Sequence, residues 1–499
     1  MKKHFYIILL AATAMIMQAC GNFLEEESQS EVIPQTTEDF SELLIGSGYP
    51  DNNYPDMSIL EYLDDDCAQM LNYSNSDYWS GIVYTADYYA GTSQAISPAP
   101  YYQWQPYECD FNGYQERINT SASGTMFYQY YNKIKGCNAV LDLIDDAVGT
   151  QEGRDRVKAE ALAVRALLYF QLVNIYGQPY NYNKQAPGVP LKLDANLSDE
   201  PMQRATVAEV YEDVILPDLL KAAELMDPLE ILTKNYRVNQ PAIHILLSRV
   251  YLFMDEYQKC IDEVNKAMAQ GIRVMNLTTE FNAADMSYNY NPLDYNNPEV
   301  LWIFGPGTRV GNVAYMSGMS PEFQSLWDVT NDIRYQMFGL YVRSYQNDNV
   351  FVMRKEYGNS ALCQTIRTSE AVLNRMEAQA MLGQDVAALK ALNDFRATRI
   401  RNYEDVSLSG EELLEAIRTE RRKELCYEGF RWFDLRRYGM PEIHHDYRAE
   451  KGGQTVRYTL QHNDPMYTLP FPNSVIVNCE IEQNECRNGS DRTGVPVTE

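Results

Sequence analysis

Glu420, Glu424 and Glu428 recur at four-residue intervals in SGEELLEAIRTERRKELCYE, residues 409–428. Closely placed carboxylates are the equipment of glycoside hydrolysis, where one serves as acid and the other as base or nucleophile. On a helix the three would share one face, continuing the stripe of Leu413 and Ile417. Arg421, Arg422, Arg431, Arg436 and Arg437 crowd the same stretch and change what that face can do. They would hold Glu424 and Glu428 ionised, whereas an acid catalyst needs one raised pKa. The stretch therefore reads as a paired ionic cluster fixing a helix end, with guanidinium groups able to lie on Trp432 or Phe433. Ser409 and Glu412 have the spacing of a capping box, which would start that helix. The chain has no G-x-S-x-G, P-loop or dinucleotide fingerprint, so an enzyme is not expected.

A second chemistry is offered by the 38 tyrosines. A sugar ring has apolar C–H faces and a hydroxyl rim, so it is held by flat aromatic platforms with Asn, Asp, Gln or Arg around them. Residues 73–107 contain ten aromatics in 35 residues, from Tyr73, Tyr78 and Trp79 to Tyr101, Tyr102, Trp104 and Tyr107, with Asn72, Asn75 and Asp77 interleaved. A second group comprises Tyr288, Tyr290, Tyr295, Tyr315 and Trp327. Any one of these rings could instead fill a core, but helices elsewhere already supply one. The triplet Asp64–Asp66 could ligate calcium, yet it lacks the alternating spacing of an EF-hand loop, and a solvated or capping role is expected. His444 and His445 adjoin in an apparent loop, poorly placed to share one metal. No cofactor is expected. Besides Cys20 there are eight cysteines without zinc spacing; Cys479 and Cys486 could form a disulfide or remain two buried thiols.

These residues need elements to position them. Residues 156–177, RVKAEALAVRALLYFQLVNIYG, carry apolar residues every three or four positions: Val157, Ala161, Val164, Leu168, Leu172 and Ile175, with Gly177 as a stop. Ala159, Ala161, Ala163 and Ala166 would let a neighbouring helix approach closely. Residues 242–253 and 257–271 form a helical hairpin of about 34 residues closing at Gly271, 369–399 repeats the plan with a stop at Gly383, and 125–147 pairs with 154–176. The fold class is mainly α: a tetratricopeptide-like helical scaffold, about 125–271 and 368–440, with a few short strands. Two large irregular regions, 49–124 and 272–367, would carry the ligand-facing rings, and 178–204, with four prolines, would connect helices. A formal charge of -27 repels phosphate backbones and excludes nucleic acid as a partner. At the start, Lys2 and Lys3 precede an apolar run from Tyr6 to Met17 that is too short to span a bilayer. Residues 1–19 read as a signal peptide resembling those of bacterial lipoproteins, with Cys20 as the lipidated residue and Glu25–Glu27 resembling a surface-export signal.

ERRKELCYEGFRWFDLRRYG resembles the C-terminal signature of the SusD/RagB family of outer-membrane glycan-capture lipoproteins. Its signature positions here are Glu420, Arg421, Glu424, Glu428, Arg431, Trp432, Asp434 and Arg436. AEALAVRALLYFQLVNIYG, VYEDVILPDLLKAAELM, RTSEAVLNRMEAQAML and YTLPFPNSVIVNCEIEQN are similar to further family segments, in the same order. The resemblance implies one domain over 20–499, a lipid anchor on the outer membrane facing the cell exterior, and a SusC-type TonB-dependent transporter as partner. By the family's plan the segment just after Asp64–Asp66 contributes to the ligand face, so Tyr73, Tyr78 and Trp79 are the first choices, and Trp104 resembles a packing position; Asn72, Asn75 and Asp77 between them, and Tyr101, Tyr290, Tyr295, Tyr315 and Trp327, complete the candidate ligand contacts. Capture of peptides by a similar lid, and a helical adaptor that binds only protein, are the alternatives.

Overall fold

The computed structural model describes residues 34–52, 55, 57, 59–69, 74–76, 83–85, 99–106, 126–196, 201–231, 236–281, 293, 295–306, 317–337, 341–345, 348–352, 362, 364–450 and 453–498. Nine helices among these build the frame: α1 (Met126–Leu141), α2 (Gln151–Tyr176), α3 (Leu216–Met226), α4 (Gln240–Phe253), α5 (Tyr257–Ala269), α6 (Thr368–Met381), α7 (Asp385–Ala397), α8 (Gly410–Glu424) and α9 (Arg431–Arg437). Each packs on the next from α1 to α7, and α8 closes on α6 and α7. The three expected hairpins are all formed.

Helix α2 is the central piece. The Thr150 hydroxyl accepts from the Gly153 amide at 3.0 Å and starts it. Ala159, Ala161, Ala163 and Ala166 are all fully buried, so α1 and α3 approach over residues with almost no side chain to displace. Gly271 closes its hairpin after α5, and Gly383 stops α6 ahead of α7, both in the left-handed region, at φ 84° and 70°. Gly177 ends α2 differently, with φ −108°. A Cβ there would meet the Val173 carbonyl at 2.8 Å, so close approach rather than helix reversal requires glycine.

The strands are short. β1 (Val300–Phe304), foreseen in VLWIF, pairs antiparallel with β2 (Gln364–Arg367), Trp302 opposite Ile366. β3 (Ile443–Tyr447) and β4 (Val456–Leu460) pair antiparallel with Ile443 opposite Leu460. His444 and His445 thus lie in a strand rather than a loop, and its alternation exposes His444 while burying His445. Cys67–Gln69 pairs with Ser317–Met319, joining the two irregular regions. Cys479 is a half-buried thiol and forms no disulfide with Cys486. Among the described residues no helix is long and apolar enough to cross a membrane.

The largest core cluster runs along α1–α5, a second gathers Met275, Phe323, Trp327, Ile333 and Tyr335 from the 272–367 region, and a third lies between α6, α7 and α8. Leu168 sits at the centre of the first, fully buried. Leu168→Ala is expected to destabilise the protein by about 2–5 kcal/mol through the cavity it leaves, read as a lower urea midpoint at unchanged slope.

Candidate functional site

The carboxylates of the 409–428 stretch are buried: Glu420 is 1 %, Glu424 2 % and Glu428 9 % exposed. Helix α8 stops at Glu424 rather than continuing to 428, because Tyr427 and Gly429 adopt left-handed backbone, φ 57° and 77°. Glu428 reaches the cluster from that turn. The capping box does not form either: Ser409 holds the N-cap position without a side-chain bond, and Asp385 Oδ2 accepts from the Gly410 amide at 2.7 Å.

The arginines that neutralise the three glutamates come from elsewhere in the chain. Arg334 reaches Glu420 at 2.6 Å and Glu424 at 3.0 Å. Arg367 joins Glu424 at 2.7 Å and Glu428 at 2.8 Å. Arg396 pairs with Glu420 at 2.7 Å, and Arg399 bridges Glu424 to Glu299. Lys423 meets Asp332, which also holds Arg334. The five acids Glu299, Asp332, Glu420, Glu424 and Glu428 are thus matched by Arg334, Arg367, Arg396, Arg399 and Lys423. Against the penalty of burial, Arg334, Lys423 and Arg396 hold Glu420 at about 2, and Arg399, Arg367 and Arg334 hold Glu424 well below the usual carboxylate range. Neither can serve as a general acid near neutrality.

The arginines inside the signature have other tasks. Arg421 donates to Asp434 at 2.8 Å, and Arg437 binds Asp434 and Glu377. Arg436 donates to the Gly177 carbonyl and so clamps the end of α2. Trp432 stacks on Tyr467, with centroids 5.0 Å apart, while guanidinium groups cover Phe430, Phe395 and Phe323 instead of Trp432 or Phe433. Arg431 binds Asp65 through both carboxylate oxygens at 2.6 and 2.7 Å, and Arg422 binds Asp66 at 2.5 Å. Asp65 and Asp66 are therefore paired with arginine rather than solvated, and the buried Asp64 accepts from the Asp66 amide at 2.9 Å. The triplet's carboxylates cluster closely enough for a metal, but a calcium ion would have to displace Arg431 and Arg422, so the donor set does not fit one.

This anchoring grips both ends of the aromatic-rich stretch 70–98. Its leading flank is held through Asp65 and Asp66. Its trailing flank, Ala99–Tyr102 with Trp104, is held by His445, whose ring lies between Tyr102 and Trp104 with centroids 4.1 and 4.2 Å away. His445 Nδ1 faces the Tyr102 carbonyl at 2.7 Å and Nε2 the Asp64 carbonyl at 2.8 Å, tying the two flanks together. Burial draws His445 down to about 4 although both carbonyls pull the other way, so at neutral pH the ring is uncharged and donates through one nitrogen.

The sequence-derived ligand contacts divide as follows. Asn72, Tyr73, Asp77, Tyr78, Trp79, Tyr290 and Tyr315 lie outside the described residues, as does Cys20 with the signal. Asn75 pairs through its backbone with Tyr84. Tyr101 is fully buried in the main core and Trp327 is 6 % exposed in the second, so neither offers a face to a ligand; both fill interior space, as Trp104 does. Tyr295 is half-buried and stacks on Tyr236, with centroids 4.6 Å apart and planes 23° from parallel. Sequence reasoning missed Tyr236 because it stands alone between polar residues; its one signal is the adjacent helix start NQP, residues 239–241. It also missed Arg334 and Arg367, each of which follows a single isoleucine in an otherwise polar stretch and so gives no local signal.

A serial helical frame, bolted by buried ion pairs and carrying irregular regions between its helices, defines the class of the protein. A sequence profile described as starch-binding and associating with the outer membrane matches residues 22–252, and the SusD family profile matches 270–485. The chain belongs to the SusD/RagB family of carbohydrate-binding proteins. It is 21 % identical over 398 residues to a SusD-like protein of Formosa agariphila, covering 64 % of this chain and 74 % of that one. A SusD-like carbohydrate-binding protein from Bacteroides vulgatus has the same fold, with a TM-score of 0.65 and 21 % identity over 89 % of this chain and 97 % of the other. A laminarin-binding SusD-like protein also shares it, with a TM-score of 0.61 and 19 % identity over 91 % and 100 % of the two chains.

Glu424→Gln would leave buried arginines short of one negative charge and is expected to cost about 3–5 kcal/mol, measured by chemical denaturation. For Glu420 the folded pKa lies below the unfolded one. Its stabilisation is full above about pH 4.5, and on the order of 3 kcal/mol is lost as pH falls towards 2. Stability–pH curves of the wild type and Glu420→Gln are expected to differ in that window, the variant having the shallower acid limb.

Proposed function

We propose that the protein is a cell-surface lipoprotein, anchored through Cys20, that captures oligosaccharide or polysaccharide and delivers it to a SusC-type TonB-dependent transporter in the outer membrane. The reading rests on the family match, which spans both halves of the chain and includes a profile described as starch-binding and associating with the outer membrane. The site chemistry agrees with it. In sequence, the aromatic-rich stretch that holds Tyr73, Tyr78 and Trp79 lies between two scaffold flanks that His445 joins. Recognition of this kind needs aromatic faces and peripheral hydrogen bonds, not a perturbed acid–base pair. The buried Glu424 and Glu428 serve the frame, so binding rather than turnover is the activity.

Affinity for a single sugar segment is expected to be modest, because a long glycan engages many copies of a surface receptor at once. Trp79→Ala and Tyr73→Ala are each expected to weaken binding roughly tenfold in affinity electrophoresis against the polysaccharide that retards the wild type, with unchanged melting temperature. Unaltered retardation of both variants would remove these residues from the site. Retardation of the wild type by no glycan, alongside binding of peptides, would replace the glycan reading altogether.

A further inference from the structure

Tyr236 is among the most exposed large side chains of the protein, at 53 %, yet its backbone is closely fixed. The three residues that follow it are each anchored. Arg237 donates to Glu160 at 2.7 Å and to the Ser41 hydroxyl at 2.6 Å. The Val238 amide donates to the Tyr49 hydroxyl at 3.0 Å, and Asn239 donates to the Leu301 carbonyl at 2.7 Å while capping α4. Tyr295 is set by a different anchor: Asn297 accepts from the Glu299 amide, Glu299 is held by Arg399, and β1 begins at Val300. Two scaffold-bound supports thus present one pair of nearly parallel rings, 4.6 Å apart, with one ring more than half in solvent.

We propose that the Tyr236–Tyr295 pair is a glycan subsite in its own right, taking the apolar face of one uncharged pyranose ring on Tyr236. The inference rests on the glycan-capture reading and adds to it a named contact outside residues 73–107. Stacking of Tyr295 on the inner side of Tyr236 leaves the outer side of that ring as the platform. A rigid ring loses little freedom when a sugar settles on it, so even a small contact area adds affinity. Hydroxyl groups at the sugar rim stay in solvent around the platform, where water carries their hydrogen bonds. The class of sugar follows from charge. The neighbouring Arg237 pairs with Glu160, and the chain as a whole carries a formal charge of -27, so a uronate or sulfated ring would meet net repulsion.

The test uses the full mature chain and native affinity gels cast with starch, laminarin, xylan or polygalacturonate. A neutral polysaccharide is expected to retard the wild type, and polygalacturonate is not. On the retarding polysaccharide, Tyr236→Ala and Tyr295→Ala are expected to bind roughly three- to tenfold more weakly at unchanged melting temperature, and Tyr236→Phe to bind like the wild type. Wild-type affinity in Tyr236→Ala, together with a loss in Trp79→Ala, would overturn the subsite and leave the receptor reading intact. Loss of transporter co-purification in Tyr236→Ala with glycan binding unchanged would assign the pair to a protein contact and equally overturn it. Retention of the wild type by no neutral polysaccharide would remove both readings together.

Discussion

A charged side chain taken out of water must find its opposite within hydrogen-bonding reach, and this constraint organises the protein. Glu424 binds Arg334, Arg367 and Arg399 at once, and they approach from three separate parts of the chain. The guanidinium fork suits this role, because it can serve two carboxylates in fixed directions where an ammonium acts as a single point. Such a cluster contributes less to net stability than its bond count suggests, since desolvation offsets much of the attraction. Its larger effect is on uniqueness of structure: any other arrangement of these elements would strand buried charge.

That requirement explains how a helical frame can carry large irregular regions without losing its shape. The stacked hairpins bury apolar surface chiefly against their immediate neighbours, a pattern that says little about where intervening segments should lie. The ion pairs supply the missing information. Arg399, just beyond α7, fixes Glu299 ahead of β1, while Arg422 and Arg431 fix Asp66 and Asp65 at the mouth of the aromatic-rich stretch. Frame and excursions are therefore set by different physics, burial for one and charge matching for the other.

The same division governs what could be read from the sequence. Helix existence was legible because α2, α5 and the α6–α7 hairpin repeat apolar residues at the helical period, and Gly271 and Gly383 mark where the helices α5 and α6 end. The three glutamates lie buried in ion pairs, but their partners were not legible, since Arg334, Arg367, Arg396 and Arg399 are brought in by tertiary packing that leaves no local spacing. The helix limit at Glu424 was missed for a related reason: left-handed Tyr427 is a non-glycine residue that gives no composition signal. Aromatic density pointed to a region and did not separate roles within it. Tyr101 and Trp327 proved to be interior, whereas Tyr236, a solitary tyrosine in a polar loop, stands at the surface.

The pairing of Arg431 with Asp65 joins positions 366 residues apart, and Arg492 donates to the Trp104 carbonyl across 388. Contacts of such separation are slow to form and close only after the intervening chain has emerged and collapsed. During synthesis and export the early segment Asp64–Asp66 must wait, its acids uncompensated, until the last part of the polypeptide arrives. Maturation of this protein is thus governed by its tail: a chain cut short after α8 would keep its hairpins and still lack the clasp that completes it.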